Sequence, residues 1–201
     1  LGCNNDGCQM FDSLIEGNYV HHTNQSSVSQ GDGIEIKQGS YNNIVRDNVI
    51  HDTNYPCILI YGTAGKAVNL LERNAMWNCG DHGIQAEADA IIRNNLVLGA
   101  KADGIRNQLH QQQSVEDLTI VDNTVLNAGD ALRSDGIKSN VVIANNALYS
   151  QNGNALRASG TLSALTVAGN VGMGSTQGVS AGFTGGGSLG ADFIDAAFGG
   201  A

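Results

Sequence analysis

The chain of 201 residues has room for one substantial domain that buries a core without needing a metal or a disulfide as a staple. Hydrophobic residues make up 41%, yet no apolar run approaches the roughly 18 residues of a spanning helix, so no membrane span is expected. Ten basic against 19 acidic residues leave a net charge of −9, which argues against a partner bound through nucleic-acid phosphates.

Glycine accounts for 27 residues and asparagine for 22, with a single proline and 5% aromatics. That diet suits turns and is too rich in weak helix formers for a helical bundle, while the many Val, Ile and Leu residues argue against disorder. Residues 1–12 read as a lead-in segment with no amphipathic capping helix between Leu1 and Met10. Cys3 and Cys8 lie there, far from Cys57 and Cys79, and neither pair has zinc-finger spacing with partner histidines. An oxidised Cys3–Cys8 loop of an extracellular protein and buried free thiols are both compatible with this pattern.

From residue 13 onward a phrase repeats around an asparagine: Asn18, Asn48, Asn74, Asn95, Asn123, Asn146 and Asn170. Three positions before each stand Ile15, Val45, Leu71, Ile92, Ile120, Ile143 and Val167, all aliphatic. Two positions after come Val20, Ile50, Met76, Val97, Val125, Leu148 and finally Gly172. A small residue then precedes an aliphatic one in Gly33-Ile34, Cys57-Ile58, Gly83-Ile84, Gly104-Ile105, Ala131-Leu132, Ala155-Leu156 and Gly178-Val179. Three short strands per repeat, each too short to bury anything alone, form a continuous aliphatic core only when the coils stack with parallel strands. The expectation is an all-β, single-stranded parallel β-helix of about seven coils over residues 13–182. The asparagines line up as a ladder in one turn. Insertions fall between Asn18 and Gly33 and around Leu109 to Val115, where loops build a working face. Residues 183–201 form a Gly/Ala-rich segment expected to continue into a longer protein.

The phrase "DGIEIKQGSYNNIVRDNVIHDT", echoed by "DHGIQAEADAIIRNNLVLGA", resembles the right-handed β-helix repeats of the pectate-lyase-like superfamily over about Ser13 to Gly182. Right-handedness is implied by that resemblance and by the chirality of parallel crossovers. The superfamily implies polysaccharide lyases, hydrolases and epimerases, and also tailspikes, adhesins and non-catalytic modules, so the fold leaves function to be argued from the site.

In the superfamily the strand after the small-aliphatic pair lines the substrate groove. Alternation places two outward columns on it. One reads Glu35, Leu59, Gln85, Arg106, Arg133, Arg157, and the other Lys37, Tyr61, Glu87, Gln108, Asp135, Ser159. Arg106, Arg133 and Arg157 in register, with Glu35 and Gln85, form a candidate binding strip for the carboxylates of an acidic polysaccharide. Pairing of the same arginines with Asp103, Asp130 and Asp135 is the plainer alternative. β-Elimination from a uronate requires a base, an acid and a positive charge on the carboxylate. Lys37 as base and Tyr61 as acid, with Arg106 or a Ca2+ ion held near Asp32, Glu35 and Glu87, would meet that need. Against it, "EIKQGSYNNIVRDN" resembles the corresponding coil of alginate and chondroitin lyases that use a Lys and Arg pair, but the match puts Gly39 at their lysine position. Their later arginine has no counterpart in "CILIYG", and the adjacent aspartates of polygalacturonases and the Asp-Pro-His-Asp segment of epimerases are absent.

His21 and His51 occupy equivalent places in adjacent coils, followed by His22 and Asp52. A metal site is conceivable there, but a solvent-facing imidazole stack is the favoured reading, since no third ligand is evident from the sequence. Trp77, Leu98, Leu126 and Tyr149 continue that column, an outward row apolar enough to call for a covering loop, domain or partner chain. Asn24-Gln25-Ser26 fits a glycosylation acceptor. Two functional readings follow: an extracellular or cell-surface module recognising acidic polysaccharide, with lyase chemistry as its extension, and a non-catalytic structural or adhesive module of a surface layer or filament. The second assembles head to tail through open ends, the coil at Asn18 meeting the coil near Val179 of the next copy.

Overall fold

The computed structural model describes residues 1–3, 7–111 and 113–194, so the last stretch of the Gly/Ala-rich segment, 195–201, lies outside the described residues. Among the described residues nineteen strands succeed one another, with one 3-10 turn at Leu162–Ala164 and a four-residue helix at Leu189–Asp192. Every strand pairing is parallel and joins an element to its equivalent in the adjacent coil, which makes the chain a parallel solenoid.

Three faces wind up the axis. On the first, Ile15 is in register with Val45, then Leu71, Ile92, Ile120, Ile143 and Val167. On the second, Val20 leads to Ile50, Met76, Val97, Val125, Leu148 and Gly172. On the third, Ile34 leads to Ile58, Ile84, Ile105, Leu132 and Leu156. All three registers follow the spacing read from the sequence, because a slip of one residue would turn an aliphatic column out to water. The exception is the last rung of the third face. Leu156 pairs with Thr176, not with Val179, because the strand Asn170–Gln177 runs straight from the second face to the third with a short corner.

The core is the stack of these aliphatic columns, with Ile36, Ile50, Ile60, Leu71, Met76, Ile92 and Ile120 fully buried. The ladder closes one corner of each coil. Each amide Nδ2 donates to the Oδ1 of the next asparagine, at 2.8 Å from Asn18 to Asn48 and 3.0 Å from Asn146 to Asn170. The backbone N–H of each asparagine donates to the same oxygen, and Asn48, Asn74 and Asn95 return an amide hydrogen to the carbonyls of Ile15, Val45 and Leu71. A side chain with a donor and an acceptor thus satisfies buried backbone that the strands leave unpaired. The residue before each ladder asparagine turns the corner in the left-handed region: Gly17, Asp47, Arg73, Asn94, Asp122, Asn145 and Gly169, with φ between 53° and 66°. Glycine, asparagine and aspartate enter that region at least cost. Arg73, the exception, is tied down by a two-pronged bond to Asp47 at 2.8 Å.

A second, shorter ladder runs from Asn43 to Asn69 at 3.0 Å. Both cysteine pairs are joined, Cys3 to Cys8 and Cys57 to Cys79, the latter linking successive coils across 22 residues. The solenoid pairing also runs past residue 182, because Phe183–Gly186 adds a further parallel strand beside Asn170–Gln177. Beyond it, Phe193 packs edge-on against the Tyr149 ring and Asp192 accepts its hydroxyl hydrogen at 2.7 Å. The C-terminal segment therefore covers one end of the outward apolar column.

Candidate functional site

The third face carries the groove. Outward side chains there were expected to stand in water, but Leu59, Gln85, Tyr61 and Arg106 are all buried. Residues of the two insertions stand around Leu59, Tyr61 and Gln85, whereas Arg106 is enclosed by Asp103, Gln108 and Asp135. Between the insertions lies a cleft of about 420 Å³, lined by Gln30, Asp32, Tyr55, Tyr61, Gln85 and His110 among others.

Glu87 holds the upper loop in place. Its carboxylate accepts the backbone N–H of His110 at 3.0 Å, of Gln113 at 2.9 Å and of Gly62 at 3.3 Å. Beside it, Asp89 accepts from the Gln113 side chain at 2.7 Å and from the Thr63 N–H at 2.8 Å. Burial pushes the Glu87 carboxyl above its ordinary range in spite of the three donors. The loop then lays the His110 imidazole on the Tyr61 ring, centroids 5.2 Å apart and planes nearly parallel.

At the other end of the cleft Lys37 Nζ is ion-paired with Glu35 and stands 5.6 Å from the Tyr61 ring centre. The Tyr61 hydroxyl donates to Glu35 at 3.3 Å, and burial together with that carboxylate drives its pKa upward. Lys37 and Tyr61 are therefore neighbours, as the column register requires, but both turn toward Glu35. Asp32 lies in the same cleft with a buried Oδ1 that has no hydrogen-bond partner. Burial first and the Glu35 charge second raise its pKa to about 6.

The candidate Ca2+ ligands are not gathered into one site. Among the described residues, the group of three or more His, Cys, Asp or Glu side chains whose ligand atoms lie within 4.8 Å of one another is His22, His51 and Asp52. Asp32, Glu35 and Glu87 do not form such a group, because Glu35 is engaged by Lys37 and Glu87 is spent on the loop backbone. Asp81, which also lines the cleft, was missed from sequence, as were Gln30, Tyr55 and His110. Gln30 and His110 come from the insertions that break the repeat, and Tyr55 and Asp81 from the turns before the strands Ile58–Ile60 and Ile84–Ala86, the only signal that pointed to them.

The arginine strip follows the groove. Arg106, Arg133 and Arg157 are in register on adjacent rungs. Arg106 and Arg133 both bind Asp135 at 2.8 Å, and Arg106 also reaches Asp103 at 3.5 Å. Asp130 instead accepts from Asn154. No ion pair forms at Arg157 among the described residues. Behind the strip His82 is buried and accepts the Asp103 N–H through Nδ1 at 3.2 Å, which places its hydrogen on Nε2 facing Asp81. Burial brings the His82 pKa down to about 4.

With three parallel faces, an asparagine ladder and a loop-roofed groove in view, the comparison with known families is direct. The family model of the right-handed β-helix region matches residues 2–138. The chain belongs to that family. No curated protein and no solved structure gives a significant match.

Proposed function

We propose that the chain is an extracellular module that recognises an acidic polysaccharide along its third face. The observation that carries this reading is the groove itself, whose floor of parallel rungs presents Tyr61, Gln85 and Leu59 beneath loops bearing Tyr55, His110 and Gln30. Ring faces stack on sugar rings while amides and carboxylates bind hydroxyls, the mixture of apolar walls and few directed polar groups that small-ligand clefts use. The two ends differ in charge. Asp32, Glu35 and Asp81 accept sugar hydroxyl hydrogens, and the strip ending at Arg157 takes uronate carboxylates, which a guanidinium binds with two parallel hydrogen bonds. Two disulfides suit an oxidising compartment and an extracellular or cell-surface location. Among the described residues no helix is long and apolar enough to cross a membrane.

Recognition is favoured over elimination because Lys37 and Tyr61 are both engaged with Glu35. Affinity electrophoresis in gels containing alginate, pectate, glycosaminoglycans or a neutral glucan tests the reading. Retardation by an acidic polymer, weakened about tenfold by Tyr55→Ala or Arg157→Ala, is the expected result. Equal mobility in every gel refutes it. Growth of the ultraviolet absorbance of an unsaturated product during incubation shifts the assignment to a lyase, with Lys37→Ala and Tyr61→Phe as the variants that locate the chemistry.

A further inference from the structure

Away from the groove, the second face opens with a cluster of imidazoles. The strands Tyr19–His21 and Val49–His51 pair with His21 opposite His51, and His51 in turn lies opposite Trp77. The rings stack, His21 on His51 at 5.4 Å and His51 on Trp77 at 4.5 Å between centroids. The next residue in each coil, His22 and Asp52, turns the corner in the left-handed region, with φ of 57° and 52°. That turn brings both side chains back toward His51. His51 Nδ1 is 2.6 Å from Asp52 Oδ2, and His22 Nε2 is 3.9 Å from the same oxygen.

We propose that His22, His51 and Asp52 form a binding site for a divalent transition-metal ion of the Zn2+ class. Two imidazole nitrogens and one carboxylate oxygen lie within 4.8 Å of one another. That donor set suits a borderline ion such as Zn2+, with solvent completing the coordination, and not Ca2+, which takes oxygen ligands. The groups behind the ligands are also in place. The far nitrogen of His51 lies 2.8 Å from the Tyr19 hydroxyl, and the far nitrogen of His22 lies 2.6 Å from His21 Nδ1. Such partners fix the tautomer and the ring orientation of a ligating histidine. Asn78 donates to Oδ1 of Asp52, which leaves Oδ2 facing the two imidazoles. An ion inserted between His51 and Asp52 replaces the hydrogen they share and opens their contact to about 3.3 Å, the edge of a tetrahedron with bonds of about 2.05 Å. Asp52 can make that move, since it is only partly buried and follows the last residue of the strand Val49–His51. The site lies on a different face from the groove, so its occupancy is independent of the polysaccharide reading.

The test uses untagged protein stripped with a chelator. Isothermal titration with Zn2+ is expected to give one saturable site, with no heat from Ca2+. His22→Ala, which removes an exposed ring, is expected to weaken binding by about tenfold or more, and Asp52→Asn likewise. Trp77 is the only tryptophan and stacks on His51, so Cu2+ should quench its fluorescence in wild type and lose that effect in His22→Ala. An unchanged emission maximum in the variant shows that the fold survives. Absence of a saturable Zn2+ site in wild type overturns the proposal. So does Zn2+ binding and Cu2+ quenching of equal strength in wild type, His22→Ala and Asp52→Asn.

Discussion

Asn74 Nδ2 donates to Asn95 Oδ1 at 2.9 Å across a coil of 21 residues, and Asn18 makes the same bond to Asn48 at 2.8 Å across a coil of 30. The ladder is thus indifferent to coil length. All of the variation is absorbed by the corner loops, which leaves the rungs free to keep one spacing while the loops build the groove.

The ladder is strongest in its middle. Asn74 accepts the N–H and the amide of Asn48 and donates to Val45 and Asn95. Asn74→Ala strips the Asn48 N–H of its acceptor and removes one hydrogen bond each from the Asn48 amide, the Val45 carbonyl and Asn95 Oδ1, losses that are costly in the interior. A loss of about 3 kcal/mol in unfolding free energy is expected, read from urea denaturation. Asn18→Ala removes donations to Glu16 and Asn48 at the exposed end of the ladder, and should cost about 1 kcal/mol or less. Equal losses at the two positions would mean that the ladder is not a buried network.

Such rungs were legible in the sequence because ladder asparagine, aliphatic columns and small-aliphatic pairs each recur with fixed offsets even as coil length changes. Seven asparagines bound six turns, which is why counting asparagines suggests about seven coils. What failed to show was anything that depends on loops crossing the repeat. Glu87 read as an outward carboxylate free to hold a cation, yet the loop at His110 and Gln113 claims it from a coil away. Leu59 and Arg106 read as outward by alternation and are buried, Leu59 in the cleft wall and Arg106 among Asp103, Gln108 and Asp135. Inward alternation also concealed Asn107 Oδ1 and Ser134 Oγ, buried atoms without hydrogen-bond partners in a column that starts with Ile36 and Ile60. His22 and Asp52 were adjacent to the histidine pair in sequence. Only the left-handed turn of both residues aims them at one point.

The small residue before each third-face strand has a steric cause. A Cβ on Gly104 would run into the Val125 side chain and the Ala131 carbonyl of the next rung. Gly104 does not need a positive φ, so the penalty of Gly104→Ala is close approach alone. The expected loss is about 1–3 kcal/mol, the range for overfilling a packed core. Gly136→Ala, where a Cβ meets nothing but φ is 71°, separates backbone strain from crowding. A lower melting temperature for Gly136→Ala than for Gly104→Ala would reverse the ranking of the two effects.

Cys57 and Cys79 bridge two coils at the corner between the second and third faces, 22 residues apart. Closing a loop of that length lowers the entropy of the unfolded chain by the equivalent of about 3 kcal/mol. The double variant Cys57→Ala, Cys79→Ala should lose about that much stability in denaturant, whereas Cys3→Ala, Cys8→Ala, which opens a loop of five residues, should lose less. Insensitivity of wild type to reductant, alongside a fully stable Cys57 and Cys79 double variant, would show that the bridge contributes nothing.

Asp32 and His82 give the protein opposing responses to acid. The Asp32 pKa is raised from 3.8 to about 6, so the folded chain holds this proton more tightly than the unfolded chain does. Ionised Asp32 therefore destabilises the fold at neutral pH, and the penalty is relieved as pH falls from about 6 toward 3.8. His82 behaves the other way, because its pKa is lowered from 6.5 to about 4 and the unfolded chain takes up the proton first. Its contribution is present above 6.5 and is lost as pH falls toward about 4. Asp32→Asn should then exceed wild type in stability at neutral pH, with an advantage that fades on acidification through about 6 to 3.8. His82→Gln should lose its deficit relative to wild type over the window from 6.5 to about 4, giving a shallower acid profile. Urea midpoints measured across that range in wild type and both variants separate the two groups. A constant offset between Asp32→Asn and wild type at every pH would mean that burial beside Glu35 does not shift the Asp32 proton.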